Sequence, residues 1–191
     1  LKRPDTAVVA FRRAINIRAD QGAYRGLVEA LITAGLHREA LAAAKEAVQL
    51  MPTSARAHTL VGLVHAASPD GFERSKRALS KAHQLDPTCY ETVLAMARVH
   101  TAEQKFALAI SCLEPLLQTH HEPAAIHSKL GDLHALSRNF TQALSHYHHA
   151  LSICDTLKSA QAGLERIERM SRAVDKGLGP AVFNGLVESF N

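Results

Sequence analysis

The sequence predicts an all-α fold, a right-handed α-solenoid in which pairs of helices stack along the chain. The first observation is an internal period, because residues 21–54 and 124–157 each hold 34 residues and align without gaps. The second is an abundance of Ala and Leu beside only six Phe, three Tyr and no Trp, which favours close helix packing over a β-sandwich. The third is that both halves of each period carry apolar residues at the spacing of an amphipathic helix.

The period divides residues 1–175 into successive units of the array. Residues 1–20 hold the second half of a partial repeat, with apolar places at Ala7, Phe11, Ala14 and Ile17. Complete repeats are predicted at 21–54, 55–89, 90–123 and 124–157. The repeat at 55–89 has one extra residue, which falls in the turn Ser68–Gly71. Because the pattern is already under way at the first residue, we expect this chain to be a segment of a longer protein.

Residue size at fixed places indicates how the helices of each repeat pack. Small residues at the eighth and twentieth places, such as Gly62 and Ala109, let the paired helices approach closely. A large residue near the twenty-fourth place fills the gap between neighbours, and Ala at the twenty-seventh lets the next repeat stack. Pro or Asp near the thirty-second place ends the second helix.

Two segments depart from this pattern. Pro115 lies late in a second helix, and because an interior proline removes a helical hydrogen bond, we predict a kink or an early end near Leu113–Glu114. Residues 158–175 are predicted to form a capping helix, whose inward-facing residues are Leu164, Ile167 and Val174. Residues 176–191 form an apolar, Gly-containing tail, for which docking in a partner, folding back and a gene-model artefact stay open.

Composition and charge argue against several classes of protein. The formal net charge is only +4 and basic residues alternate with acidic ones, so we do not expect nucleic-acid binding. No apolar run reaches about 18 residues, which argues against a membrane-spanning helix. The three cysteines are far apart and form no CxxC pair, which is typical of a reduced, intracellular protein.

The motifs of known catalytic sites are missing, and we predict neither enzyme activity nor a cofactor. Walker, GxSxG, glycine-rich nucleotide and kinase motifs do not occur. Zinc would need about four converging ligands, and the neighbouring His146, His148 and His149 offer no HExxH spacing. His65, His100 and His134 each take the eleventh place of a repeat and are expected to be half-buried between helices. Their protonation near about pH 6 gives a further hypothesis, acid sensitivity of the array.

The 34-residue period with these places resembles the tetratricopeptide repeat (TPR), and the resemblance implies where a partner would bind. In TPR arrays the second, fifth, ninth, twelfth and thirteenth residues of each first helix face a concave surface. The charged residues predicted to contact a partner there are Arg25, Glu29, Arg56, Glu91, Arg98 and Asp132. The arginines either form an anion-binding stripe for a peptide or pair with the neighbouring carboxylates.

Longer stretches, over about residues 5–170, resemble subunit seven of the anaphase-promoting complex (the cyclosome). They include SKRALSKAHQLDP after the irregular turn, and EQKFALAISCLEPLL. The resemblance implies a non-catalytic scaffold in a nuclear and cytoplasmic ubiquitin ligase of cell division, with other TPR subunits as partners. It also implies that the full-length protein forms a homodimer through N-terminal repeats, so it does not predict dimerisation of this segment alone.

Two alternative functions stay open at this point. One is a peptide-binding adaptor of the co-chaperone kind, although the Lys and Asn clamp of such TPR modules is missing here. The other is a regulatory TPR module of a larger enzyme, such as a glycosyltransferase or a phosphatase. A catalytic domain in the full-length reading frame would identify that second alternative.

Overall fold

The fold is all-α. The structure is a computed structural model that describes residues 4–68, 70–119 and 122–175, and the secondary structure in these ranges is helical. This confirms the predicted class, an α-solenoid of helix pairs. Within the same ranges, no helix combines the length and apolarity needed to cross a bilayer.

The chain divides into two compact units, Leu1–Val99 and His100–Asn191, which are described separately. The helices of the first unit are α1 (Pro4–Ile17), α2 (Gln21–Thr33), α3 (His37–Leu50), α4 (Ala55–Ala66) and α5 (Phe72–Leu85). The boundary falls within α6 (Tyr90–Ala102). The helices of the second unit are α7 (Phe106–Leu113), α8 (Leu116–Thr119), α9 (Pro123–Leu136), α10 (Phe140–Ile153) and α11 (Lys158–Asp175).

Polar side chains fix the starts of several helices. Asp20 Oδ1 accepts a hydrogen bond from the backbone N–H of Ala23 at 2.8 Å, and Ser54 Oγ accepts one from Ala57 at 3.3 Å. Asn139 Oδ1 accepts one from Gln142 at 3.4 Å. Each of these contacts satisfies a backbone donor that the first helical turn leaves unpaired. The caps therefore set where α2, α4 and α10 begin.

In the α4–α5 and α9–α10 pairs, a glycine on one helix faces a large residue on the other. A methyl group added to Gly62 of α4 would lie 2.6 Å from Leu79 Cγ of α5, and one added to Gly131 of α9 would lie 2.6 Å from Tyr147 Cε1 of α10. In the α2–α3 pair the large residue is at the eighth place and the small one at the twenty-fourth. These residues are Val28 and Ala44, and both are fully buried. The expected large residue is therefore not present in every repeat.

The same large residues also contact the helix that follows their repeat. The Tyr147 ring lies against Gly163 of α11, where an added methyl group would come within 2.3 Å of Tyr147 Cζ. Phe11 of α1 contacts Gly26 of α2 in the same way. In both cases an aromatic side chain needs a residue without a Cβ on the next helix, which supports the packing role predicted for the twenty-fourth place.

Buried hydroxyl groups tie neighbouring helices together. Thr59 and Thr92 are both buried, and their Oγ1 atoms share a hydrogen bond of 2.7 Å between α4 and α6. Ser75 Oγ donates to the Gly62 carbonyl oxygen at 2.8 Å. Ser128 Oγ donates to Ser159 Oγ at 2.8 Å. These bonds satisfy polar atoms that would otherwise destabilise a buried surface.

The prediction at Pro115 is confirmed. The helix α7 ends at Leu113, and a separate short helix, α8, begins at Leu116. Because proline has no N–H and its ring clashes with the preceding turn, the chain cannot continue one regular helix through this position. The predicted tail at 176–191 lies outside the described residues.

Candidate partner-binding cavity

A cavity of about 290 Å³ lies in the first unit among α2, α4 and α6. These are the first helices of three successive predicted repeats. The second, fifth and ninth residues of each helix line it, and they are Gly22, Arg25, Glu29, Arg56, Thr59, Leu63, Glu91, Leu94 and Arg98. The twelfth and thirteenth residues of these helices, which the resemblance also assigned to a binding surface, do not line the cavity.

Five of the six predicted contact residues therefore lie around one cavity. Two of its arginines are paired with carboxylates. Arg25 Nε lies 2.9 Å from Glu29 Oε1 along α2, and Arg56 Nε lies 3.2 Å from Glu91 Oε1 between α4 and α6. The hydrogen bond to Glu29, strengthened by its charge, raises the pKa of Arg25. Of the two arrangements open for the arginines, pairing applies to Arg25 and Arg56.

Glu91 is held as a carboxylate at the wall of the cavity. Partial burial opposes its ionisation, but its own backbone N–H, the charge of Arg56 and the Cys89 thiol outweigh that effect. The net result is that the pKa of Glu91 lies below its usual value. Glu91 therefore stays charged at neutral pH and fixes the position of the Arg56 guanidinium.

Arg98 differs from the other two arginines. Its side chain is exposed at the cavity, and no hydrogen bond or ion pair to another described residue engages it. Its guanidinium keeps five N–H donors for a ligand. Arg98 is thus the cation of this cavity best placed to bind a carboxylate or a carbonyl group from a partner.

The remaining lining is largely apolar. Met51, Leu60, Leu63 and Leu94 contribute side chains between the charged groups. Sequence reasoning missed Gln21 and Tyr90, which take the first place of their repeats and also line the cavity. The first, fifth and ninth places are each one helical turn apart, so the helical period could have identified them.

Asp132, the sixth predicted contact residue, lies in the second unit and has an internal partner. Its carboxylate is half-buried and accepts a hydrogen bond of 2.7 Å from the Tyr147 hydroxyl. Burial raises the pKa of Asp132, although Tyr147, Arg166 and Lys129 act in the opposite direction. Its carboxylate therefore supports the packing of α9 on α10.

The histidines predicted to be half-buried, His65, His100 and His134, are half-buried in the structure. Burial lowers the pKa of His65, with the charges of Arg74 and Lys45 adding to the effect. In the described part of the chain, no group of three or more His, Cys, Asp or Glu side chains is arranged to hold a metal ion.

Comparison with known proteins relates the chain to one group of curated sequences. The chain is 37% identical over 174 residues to anaphase-promoting complex subunit 7 of Arabidopsis thaliana, across 91% of this chain and 31% of that protein. It is 27% identical over 175 residues to anaphase-promoting complex subunit 7 of Dictyostelium discoideum, across 92% of this chain and 30% of that protein. The chain therefore spans about a third of the length of these curated relatives. No family model matches it.

Solved structures support the fold. A thermophilic TPR protein from Thermus thermophilus superposes with a TM-score of 0.70 at 22% identity, across 84% of this chain and 88% of that protein. At this identity the likeness concerns the arrangement of helices. It agrees with the 34-residue period and with the helix pairs of both units.

Proposed function

We propose, from the premise that this chain is a TPR protein resembling subunit 7 of the anaphase-promoting complex, that it is a non-catalytic scaffold segment of that assembly. The observation that carries the proposal is the 37% identity over 174 residues to the Arabidopsis subunit, which covers nearly the whole chain. In this proposal its partners are other protein subunits of the complex, its setting is intracellular, nuclear and cytoplasmic, and its role is in cell division.

The proposal also assigns a role to the cavity among α2, α4 and α6. Its lining combines apolar side chains with both signs of charge, as an extended protein segment needs for its own side chains and backbone. Arg98 offers a guanidinium that no other described residue engages, while the Arg25–Glu29 and Arg56–Glu91 pairs offer partly satisfied donors and acceptors. The proposal also includes Asp132, which lies in the second unit, as a residue that contacts a partner.

The co-chaperone alternative receives less support from this cavity. Neither Lys nor Asn is among the described residues that line it, so a clamp of those residues for a pair of carboxylates is not formed there. The regulatory-module alternative has no feature in its favour among the described residues. A non-catalytic scaffold is therefore the function that we propose to test.

Affinity purification of the tagged full-length protein from dividing cells of its own species, followed by mass spectrometry, tests the scaffold. Recovery of the other anaphase-promoting complex subunits in near-equal amounts is the expected result. Recovery of chaperones, or of a single unrelated enzyme without those subunits, would overturn the assignment to this complex and leave the fold unaffected.

The role of the cavity is tested with one charge reversal and its matched control. Arg98→Glu is expected to reduce recovery of at least one subunit by about tenfold, since a lost charged contact is commonly worth about 1.4 kcal/mol or more. Arg38→Glu, at an exposed position of α3 away from the cavity, is expected to leave recovery unchanged. Equal recovery with the two variants would exclude the cavity as a contact surface.

A further inference from the structure

Four imidazole rings follow one another along the contact between α9 and α10 in the second unit. His127 and His134 lie seven residues apart on α9, which places them two turns apart on one face. The ring centroids are 5.2 Å apart for His134 and His146, 5.3 Å for His146 and His127, and 5.4 Å for His127 and His149. We call these four residues the histidine row.

One contact in the histidine row depends directly on protonation. The Nδ1 atoms of His127 and His146 are 3.0 Å apart, a hydrogen-bond distance. One of these nitrogens must donate and the other must accept, so at least one imidazole must be neutral. If both rings are protonated, two N–H groups face each other and two like charges are held at close range. The contact then becomes repulsive.

The surroundings of the histidine row favour neutral rings. Burial lowers the pKa of His146 to about 4, and the charges of His134, His127 and His149 add to this shift. Burial also lowers the pKa of His127, with His149 contributing. Burial lowers that of His134 as well, although the Glu114 carboxylate opposes the shift.

Charged groups on the adjoining helices give the row little compensation. Burial raises the pKa of Asp132, the charges of Lys129 of α9 and Arg166 of α11 act to lower it, and Asp132 in turn accepts a hydrogen bond from Tyr147. Along α11, Arg169 and Arg172 pair with Glu165 and Glu168. The sequence of α7 has only Cys112 as an ionisable residue, and that of α8 has none. His149 Nδ1 donates to the Ser145 carbonyl oxygen at 2.8 Å, which fixes that ring on its own helix.

We propose that the histidine row is an acid-sensitive clasp, which holds α9 against α10 when its imidazoles are neutral and loosens that helix pair when they are protonated. The direction of this pH dependence follows from the coupling between proton binding and folding. The unfolded chain takes up these protons near the usual histidine pKa of about 6.5, whereas the folded chain resists them. The stabilising effect is therefore complete above that pH and is lost progressively as the pH falls toward the folded-state values.

Chemical unfolding of the 191-residue chain at about pH 7.5 and about pH 5.5 tests the clasp. At the lower pH, unfolding of the wild type takes up roughly one more proton than unfolding of His146→Gln. Between the two pH values, the unfolding equilibrium constant of the wild type should therefore rise about tenfold more than that of His146→Gln. His148→Gln is the matched control, since His148 is exposed on the same helix and outside the row. An equal pH dependence for wild type and His146→Gln would overturn the proposal.

A second measurement keeps the proposal testable if His146→Gln does not fold. Nitrogen-15 NMR of the wild-type imidazoles reports protonation ring by ring. His146 and His127 are expected to remain neutral and hydrogen bonded at about pH 6, and to protonate only as the signals of α9 and α10 change together. Protonation of both rings while the helix signals stay unchanged would show that the row is not a clasp. His127→Gln provides the corresponding variant on α9.

Discussion

The hydroxyl of Tyr147 donates a hydrogen bond to the carboxylate of Asp132 across 2.7 Å, although Asp132 is a residue that the sequence predicts to contact a partner. Tyr147 is fully buried, and burial, together with the charge and the hydrogen bond of Asp132, raises its pKa. The bond joins α10 to α9 beside the glycine that receives the tyrosine ring. A polar pair therefore supports the same contact as the aromatic packing.

Removal of this hydroxyl should destabilise the protein. We expect Tyr147→Phe to lower the free energy of unfolding by about 1–3 kcal/mol, because a half-buried carboxylate loses its donor. Chemical unfolding followed by circular dichroism measures the change. Tyr24→Phe is the control, since Tyr24 donates at 2.8 Å to Glu46, whose exposed carboxylate can be hydrated instead. Equal losses for the two variants would contradict this explanation.

The charge of Asp132 should make its variant respond to pH. Because burial raises the folded-state pKa of Asp132 above its usual value of 3.8, its ionised form destabilises the folded state at neutral pH. We expect Asp132→Asn, which keeps an acceptor for Tyr147, to be at least as stable as the wild type at neutral pH. The wild type should gain stability relative to Asp132→Asn as the pH falls through the raised pKa of Asp132.

Asp86→Asn is the control for that pH dependence. Hydrogen bonds from Thr88 lower the pKa of Asp86, so its ionised form stabilises the folded state and this contribution is lost at low pH. The wild type should therefore lose stability relative to Asp86→Asn as the pH falls, which is the opposite sign. Unfolding curves collected from neutral to acidic pH would show whether the two variants diverge in this way.

The close approach of α4 and α5 at Gly62 makes a methyl group costly there. Gly62→Ala is expected to lower the free energy of unfolding by about 1–3 kcal/mol, because its Cβ would lie 2.6 Å from Leu79 Cγ. Gly22→Ala is the helical control, since its Cβ would meet only Asp20 Oδ1 at 3.4 Å. Thermal unfolding compares them. A Gly62→Ala protein as stable as Gly22→Ala would refute the packing argument.

Gly71 is required at the irregular turn for a steric reason. A Cβ at Gly71 would lie 1.7 Å from the carbonyl oxygen of His65, and this backbone atom cannot move aside by changing a rotamer. We expect Gly71→Ala to cost at least about 1–3 kcal/mol, measured by chemical unfolding.

The control for Gly71→Ala separates this clash from torsional strain. Gly35 has φ +74° and open space around it, so Gly35→Ala should cost about 1–2 kcal/mol from backbone strain alone. If Gly71→Ala were the milder of the two, the clash would not govern the turn.

Much of the fold follows from local rules that the sequence displays. The end of α7 at Leu113 could be predicted because Pro115 acts on its own helix, whatever the tertiary structure. The cavity lining at the second, fifth and ninth places could be predicted because a repeat places equivalent residues on equivalent faces.

The details that could not be predicted depend on which side chains meet between helices. Whether Arg56 would pair with Glu91 or stay available depended on the distance between α4 and α6. The spacing of His146 and His149 is visible in the sequence, but the hydrogen bond of His146 to His127 arises only when α9 and α10 pack. Likewise, the hydrogen bond of Tyr147 to Asp132 forms only when α9 and α10 pack.

The exchange of residue size between the eighth and twenty-fourth places bears on modular engineering of this array. A chimera that joined α2 to α10 would set Val28 against Tyr147, two large side chains where the native pairs hold one large and one small. The reverse chimera would set Gly131 against Ala44 and leave a void. Single helices are thus not interchangeable parts of this protein, and a whole repeat that carries an aromatic residue at the twenty-fourth place also needs a glycine on the helix that follows it.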